Sequence, residues 1–237
     1  RTALVAVVVD NSDVIDALKA AVARAGSELG VLVEVDVGQQ RCGVTPGEAA
    51  VALARQITDS KGLVFRGLQG YQGKLQLEPN ASRRRDGVRV ALARLLESAE
   101  MVRRSGIEVR TLTGGGTGTL ALDLDFGGLT ELQPGSYVYM DHRYTAIEWT
   151  GPDTRPPFRA ALSVLASVIS RPTRNRAVVD TGWKAISSDG GMPLVKDLPG
   201  ARFAFAGDEH GVLEWDTACP LQVGDVVELH PSHCDTT

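Results

Sequence analysis

A sheet of parallel strands built from β/α units, followed by an all-β domain, is the architecture this sequence predicts. Two observations carry that expectation. From residue 3 to about 140, short apolar runs alternate with amphipathic stretches whose apolar positions recur every three or four residues, as strands joined by crossover helices do. Beyond about residue 145 the helical period disappears, and short apolar runs separated by Gly, Pro and Asp replace it. The domains are therefore expected at 1–145 and 157–237, with the turn-rich Gly151-Pro-Asp-Thr-Arg-Pro-Pro157 between them.

The elements follow in order. Leu4 to Val9 is continuously apolar, ends at Asp10 and reads as a buried strand, so the chain looks as if it starts in mid-fold. Ser12 is placed to cap a helix whose Ile15, Leu18 and Val22 share one face. Val31 to Val37 is the second strand, and Thr45-Pro46-Gly47-Glu48 then has the composition of a capping box with proline at the first helical position. Leu63 to Leu68 is the third strand. The helix after it buries Val88, Leu92, Leu95, Ala99 and Val102, and the basic triplet Arg83-Arg84-Arg85 is expected to be its solvated start. Ile107 to Leu112 and a short run near Glu131 to Gln133 complete the parallel set. In the second domain Leu162 to Ile169, Ala177 to Val179, Arg202 to Ala206, Val212 to Trp215 and Asp225 to Leu229 read as strands. An incomplete barrel and an open doubly wound sheet both accommodate five parallel strands, and the pattern does not choose between them.

Composition narrows the function. Hydrophobic residues make up 43% and no apolar run approaches the ~20 residues of a membrane-spanning helix. A formal net charge of −4 without a long basic block argues against a nucleic-acid surface. Cys42, Cys219 and Cys234 are odd in number and widely spaced, which fits neither a disulfide framework nor a zinc ribbon and suits a reducing cytoplasm.

Thr113-Gly114-Gly115-Gly116-Thr117-Gly118-Thr119 follows a strand directly. Consecutive glycines let backbone N–H groups converge, and the threonines add hydroxyls, so a phosphate is the expected occupant. The Gly-Lys-Ser/Thr ending of a P-loop and the spaced dinucleotide fingerprint are both missing.

Together with Glu34-Val-Asp-Val-Gly-Gln-Gln-Arg-Cys-Gly-Val44, Gly67-Leu-Gln-Gly-Tyr-Gln-Gly73 and Glu131-Leu-Gln-Pro-Gly-Ser-Tyr137, that loop resembles the alanine-racemase-type pyridoxal phosphate (PLP) enzymes. The closing His233-Cys-Asp-Thr-Thr237, with Asp208-Glu-His-Gly211 before it, narrows the resemblance to the metal-dependent D-threonine aldolases and their D-serine dehydratase relatives. It covers essentially the whole chain. It implies a PLP-binding β/α (TIM-type) barrel, here partial, with a C-terminal β domain carrying the metal ligands. Leu4 to Val9 then corresponds to about the fourth barrel strand. The Schiff-base lysine, on the first barrel strand in the family, is expected in a missing N-terminal segment, because Lys19, Lys61, Lys74, Lys184 and Lys196 match no such position.

The resemblance also implies roles. Arg41 lies near the cofactor's phenolic oxygen, Tyr71 contacts the ring, and Tyr139, with Tyr137 as the alternative, reaches the phosphate beside Thr113, Gly114, Gly115, Gly116, Thr117 and Gly118. His233 and Asp235 are the metal ligands. In an extended segment an i, i+2 pair points one way, and imidazole with carboxylate suits Mn²⁺, with Mg²⁺, Co²⁺ or Zn²⁺ as alternatives. Without the family the pair would be a polar tail. The dehydratases carry a cysteine in place of that carboxylate, and Cys234 is expected to turn away. His210 and Asp180 are weaker candidates for hydrogen bonds around the site, and His142 and His230 are expected to be structural. The activity implied is retro-aldol cleavage of D-threonine and similar D-3-hydroxy amino acids to glycine and an aldehyde. The alternatives are D-serine or 3-hydroxyaspartate dehydration and a non-catalytic PLP-binding protein. A cytoplasmic homodimer with a small amino-acid substrate, and neither nucleic acid nor membrane as partner, completes the expectation.

Overall fold

The computed structural model describes residues 3–149 and 156–237, so residues 151–155 of the expected connection lie outside the described residues. Two compact units divide the chain, Arg1–Pro134 and Gly135–Thr237.

The first unit holds β1 (Ala6–Val9), α1 (Ser12–Ala25), β2 (Leu29–Glu34), α2 (Glu48–Thr58), β3 (Leu63–Gly70), α3 (Gly73–Gln76), α4 (Ala81–Arg104), β4 (Thr111–Gly114), α5 (Leu120–Phe126) and β5 (Glu131–Leu132). Its strands pair in parallel in the order β1-β2-β3-β4-β5. A doubly wound sheet reverses its order at a switch point. Sequential order without reversal is that of a barrel wall. Val31 and Val33 of β2 and Leu68 of β3 are fully buried with Ala50, Ala54 and Ile57 of α2 and Leu95, Ala99 and Val102 of α4. Leu32, Arg66, Gln69, Thr111, Thr113, Glu131 and Gln133 instead line a concavity of about 360 Å³.

Three local expectations are corrected. Asn11, not Ser12, caps α1: its backbone is extended and its side chain accepts from the Asp13 N–H at 2.7 Å, while Ser12 is already helical. No capping box forms at α2, because the helix starts only at Glu48; Gly47 takes the cap position without a side-chain bond, and its N–H donates to Ser98 Oγ at 3.0 Å. The basic triplet is not wholly solvated. Each residue turns about 100° around a helix, so Arg83 and Arg85 face out while Arg84, 1% exposed, turns in and donates through Nη1 to the Glu78 carbonyl.

The second unit opens with a short 3₁₀ turn at Ser136–Val138 and α6 (His142–Ala146). Six strands follow: β6 (Val164–Thr173), β7 (Arg176–Val179), β8 (Leu194–Val195), β9 (Arg202–Phe205), β10 (Gly211–Glu214) and β11 (Val226–His230). They form one antiparallel sheet in the order β8-β11-β6-β7-β10-β9, and its end strands β8 and β9 approach each other, so the sheet is nearly closed. Val168, Val179, Leu213 and Leu229 are buried within it. β8 is too short to show an alternation and went unpredicted.

Candidate functional site

All candidates of the first unit lie at the C-terminal ends of its parallel strands, the end where β/α barrels place their chemistry. After β2, the Asp36 carboxylate accepts from the Gly38 N–H at 2.9 Å and the Gln40 N–H at 3.0 Å. That closes a turn in which Gln40 has φ +57°. The Gln40 bond foremost holds the Asp36 carboxyl below its usual range. The turn delivers Arg41, whose guanidinium lies 5.5 Å from the centre of the Tyr71 ring at the end of β3 and 3.9 Å from the Glu34 carboxylate. The structure thus brings together two residues 30 positions apart in sequence that had been singled out separately.

The glycine loop is buried from Thr113 to Thr119. An ideal Cβ at Gly114 would come 2.3 Å from the Gly70 carbonyl, at Gly115 2.4 Å from Asp123 Oδ2, at Gly116 2.6 Å from Gln76 Oε1 and at Gly118 1.8 Å from the Gln76 carbonyl. The glycines are required because the loop is wrapped on Gln76 and Asp123. Thr119 Oγ1 accepts from Gly116 N–H at 3.2 Å and Gln76 Nε2 at 3.0 Å and donates to Asp123 at 2.6 Å, while Gly118 N–H donates to Gln76 Oε1 at 3.0 Å. Burial pushes the Asp123 carboxyl up to about 6. Thr113 Oγ1 faces the concavity, donating to Glu131 at 2.8 Å and accepting from Gln133 at 2.9 Å. Gln76 and Asp123 were missed in the sequence, where neither a motif nor a period marks them.

In the second unit the tail from Pro231 to Cys234 is pinned to residues 140–142, at the start of α6. His142 N–H donates to the Pro231 carbonyl at 3.0 Å, Cys234 N–H to Asp141 at 3.2 Å, and Cys234 Sγ to the Met140 carbonyl at 3.0 Å. Ser232 and Cys234 are buried, His233 is half-buried and Asp235 is exposed. The segment is not extended as expected, because residues 234–236 form a bend and turn closed by the Thr237 N–H on the Cys234 carbonyl at 3.1 Å; Cys234 nevertheless turns inward, its thiol pushed up to about 11 by burial. His233 Nε2 lies 3.5 Å from Asp235 Oδ2. Two metal bonds of about 2.1 Å at octahedral to tetrahedral angles separate their donor atoms by about 3.0–3.4 Å, slightly less than the 3.5 Å between these two atoms. Among the described residues no group of three or more His, Cys, Asp and Glu side chains could hold a metal. His233 Nδ1 meets Asp189 Oδ2 at 2.5 Å, a partner absent from the sequence-derived set and 44 residues away. Hydrogen bonds from Ser187, then Thr236 and His233, hold the Asp189 carboxyl far below its usual range.

Of the remaining candidates, Tyr139 belongs to the second unit with its side chain half exposed, and the Tyr137 ring packs on Phe158 at 5.2 Å. Asp180 accepts from the Ser167 N–H at 2.7 Å, a sheet contact. His210 is exposed.

The family described as alanine racemase, N-terminal domain, matches residues 2–143, and a serine dehydratase domain matches residues 161–237. The chain is 40% identical to a D-threonine aldolase of Arthrobacter sp. over 238 residues, covering 100% of this chain and 62% of that protein. It is 38% identical to a 3-hydroxy-D-aspartate aldolase of Paracoccus denitrificans, covering 99% and 61% respectively. The crystal structure of a D-threonine aldolase from Filomicrobium marinum superposes with a TM-score of 0.93 at 38% identity, over 98% of this chain and 62% of that one. The chain thus spans about three fifths of the length of these relatives.

Proposed function

This chain belongs to the alanine racemase N-terminal domain family, and from that membership we propose that the protein carrying it cleaves D-threonine and related D-3-hydroxy amino acids to glycine and an aldehyde, using PLP and a divalent metal ion. The observation that carries the aldolase reading is the arrangement at 232–235, in which His233 is half-buried and Asp235 exposed while the Cys234 thiol is spent on the Met140 carbonyl. A neutral imidazole and a carboxylate are the donor set of an ion such as Mn²⁺ rather than of a thiolate-bound zinc.

When bound, PLP supplies an electron sink for the pair released at Cα as the Cα–Cβ bond breaks, and the metal supplies a Lewis acid for the β-hydroxyl. The chain's own residues prepare both. Arg41 offers fixed donors to an anionic oxygen, with the Tyr71 ring beside its guanidinium. The 113–119 loop holds its backbone in one conformation for a phosphate through Gln76 and Asp123. His233 Nε2 and Asp235 would hold the ion, and the exposure of Asp235 leaves coordination positions to substrate and water.

The proposal extends to domains at 1–145 and 157–237, Mn²⁺ as the resident ion, a cytoplasmic location, and a homodimer, the last resting on the resemblance alone. It also places the cofactor lysine outside these 237 residues. Stripping the intact protein with a chelator is expected to abolish glycine release from D-threonine, with Mn²⁺ restoring it and His233→Ala blocking the recovery. Full activity in the stripped protein would contradict the metal's part.

A further inference from the structure

We propose that Asp189 is the positioning residue of the metal pair: its carboxylate fixes His233 as the Nδ1–H tautomer and so presents the Nε2 lone pair beside Asp235. This rests on the metal-binding reading of His233 and Asp235 given above.

A neutral imidazole has one N–H, and an acceptor at one ring nitrogen draws the proton there and leaves the other as a lone pair. Asp189 Oδ2 sits 2.5 Å from Nδ1, while Asp235 Oδ2 lies 3.5 Å from Nε2. The two nitrogens lie on different sides of the ring, so Asp189 supports the histidine from behind. A carboxylate in that position orients a metal-bound histidine and raises its basicity.

The carboxylate is itself immobilised. Its Oδ1 accepts from Thr236 Oγ1 at 2.7 Å and from the Ser187 hydroxyl, and those two hydroxyls meet at 2.7 Å. The turn bearing Asp189 is built against the histidine. An ideal Cβ at Gly190 would meet Arg143 Cδ at 2.6 Å and His233 Cβ at 3.0 Å, so glycine lets this turn approach closely enough for Asp189 to reach Nδ1. From the other side the inward Cys234 pins the backbone to Asp141 and Met140, so the ring cannot follow an ion by shifting the tail. An isolated surface ion pair needs none of these supports.

The test uses the intact, PLP-loaded protein freed of metal, its Asp189→Asn, Asp189→Ala and His233→Ala variants, and Mn²⁺ as the probe. Two-bond ¹H–¹⁵N spectra report the His233 tautomer and calorimetry reports Mn²⁺ affinity, with thermal melting to confirm folding. The parent is expected to show Nδ1–H. Asp189→Ala is expected to move His233 toward Nε2–H and weaken Mn²⁺ binding by about 10- to 100-fold. Asp189→Asn, whose carbonyl still accepts from Nδ1–H, is expected to retain the tautomer and most of the affinity. Asp189→Ala with parental affinity, or with an unchanged tautomer, overturns the inference while His233→Ala still abolishes binding. His233→Ala with parental affinity overturns the metal reading itself, and this inference with it.

Discussion

Asp123 is 4% exposed yet ionisable, and its carboxyl is raised to about 6 chiefly by burial. A raised acid holds its proton more tightly folded than unfolded. Its contribution is therefore complete below its unfolded value near 4 and is lost as pH rises through about 6. Asp123→Asn removes that loss and can still accept from Thr119. Urea unfolding is expected to show the variant gaining on the parent by about 1–3 kcal/mol between pH 4 and pH 7. A difference that stays constant with pH would refute the assignment. At Arg41, the contact with the Tyr71 ring predicts a coupling of about 0.5–1 kcal/mol in a double-mutant cycle of Arg41→Ala and Tyr71→Ala, read as PLP affinity. Additive losses would mean that the contact carries no energy. Arg41, Tyr71, His233 and Asp235 stood out in the sequence only through the family resemblance of the short motifs that hold them. Asp189, Gln76 and Asp123 did not. Their partners are 44, 42 or 43, and 4 residues away, and Asp123, despite its nearness to Thr119, sits in an apolar stretch as an unremarkable helical carboxylate.

Among elements, the 113–119 loop was recognised as a glycine-rich turn after a strand, but composition could not say why each glycine is needed. A turn toward phosphate and a close wrap around Gln76 call for the same residue type. Gly118 gives the clearest test, since its Cβ would come 1.8 Å from a backbone carbonyl, whereas Gly135 has φ −121° and nothing within 4 Å. Gly118→Ala is expected to destabilise by about 1–3 kcal/mol or more, and Gly135→Ala by under about 0.5 kcal/mol. Equal unfolding midpoints would refute the wrap. Helix starts were less legible. Asn11 and Ser12 are both good caps, and only the extended backbone at Asn11 decides between them. A Thr-Pro-Gly-Glu string likewise makes a capping box only if the helix begins at the proline, and here it begins at Glu48.

For the whole molecule, the change from a helical period to short strands was readable because it reflects burial on one face of a helix and then inside one nearly closed antiparallel sheet. Barrel against doubly wound sheet was not, since both have the same local pattern; the parallel order β1-β2-β3-β4-β5 decides it. Among the described residues no helix is long and apolar enough to cross a membrane. The central claim, that the intact protein breaks the Cα–Cβ bond of a D-3-hydroxy amino acid, is tested most directly by product stoichiometry. With D-threonine, PLP and Mn²⁺, one glycine and one acetaldehyde are expected for each substrate consumed, with no ammonia. Release of ammonia and a 2-oxo acid in place of glycine would contradict the account and turn the same residues toward dehydration.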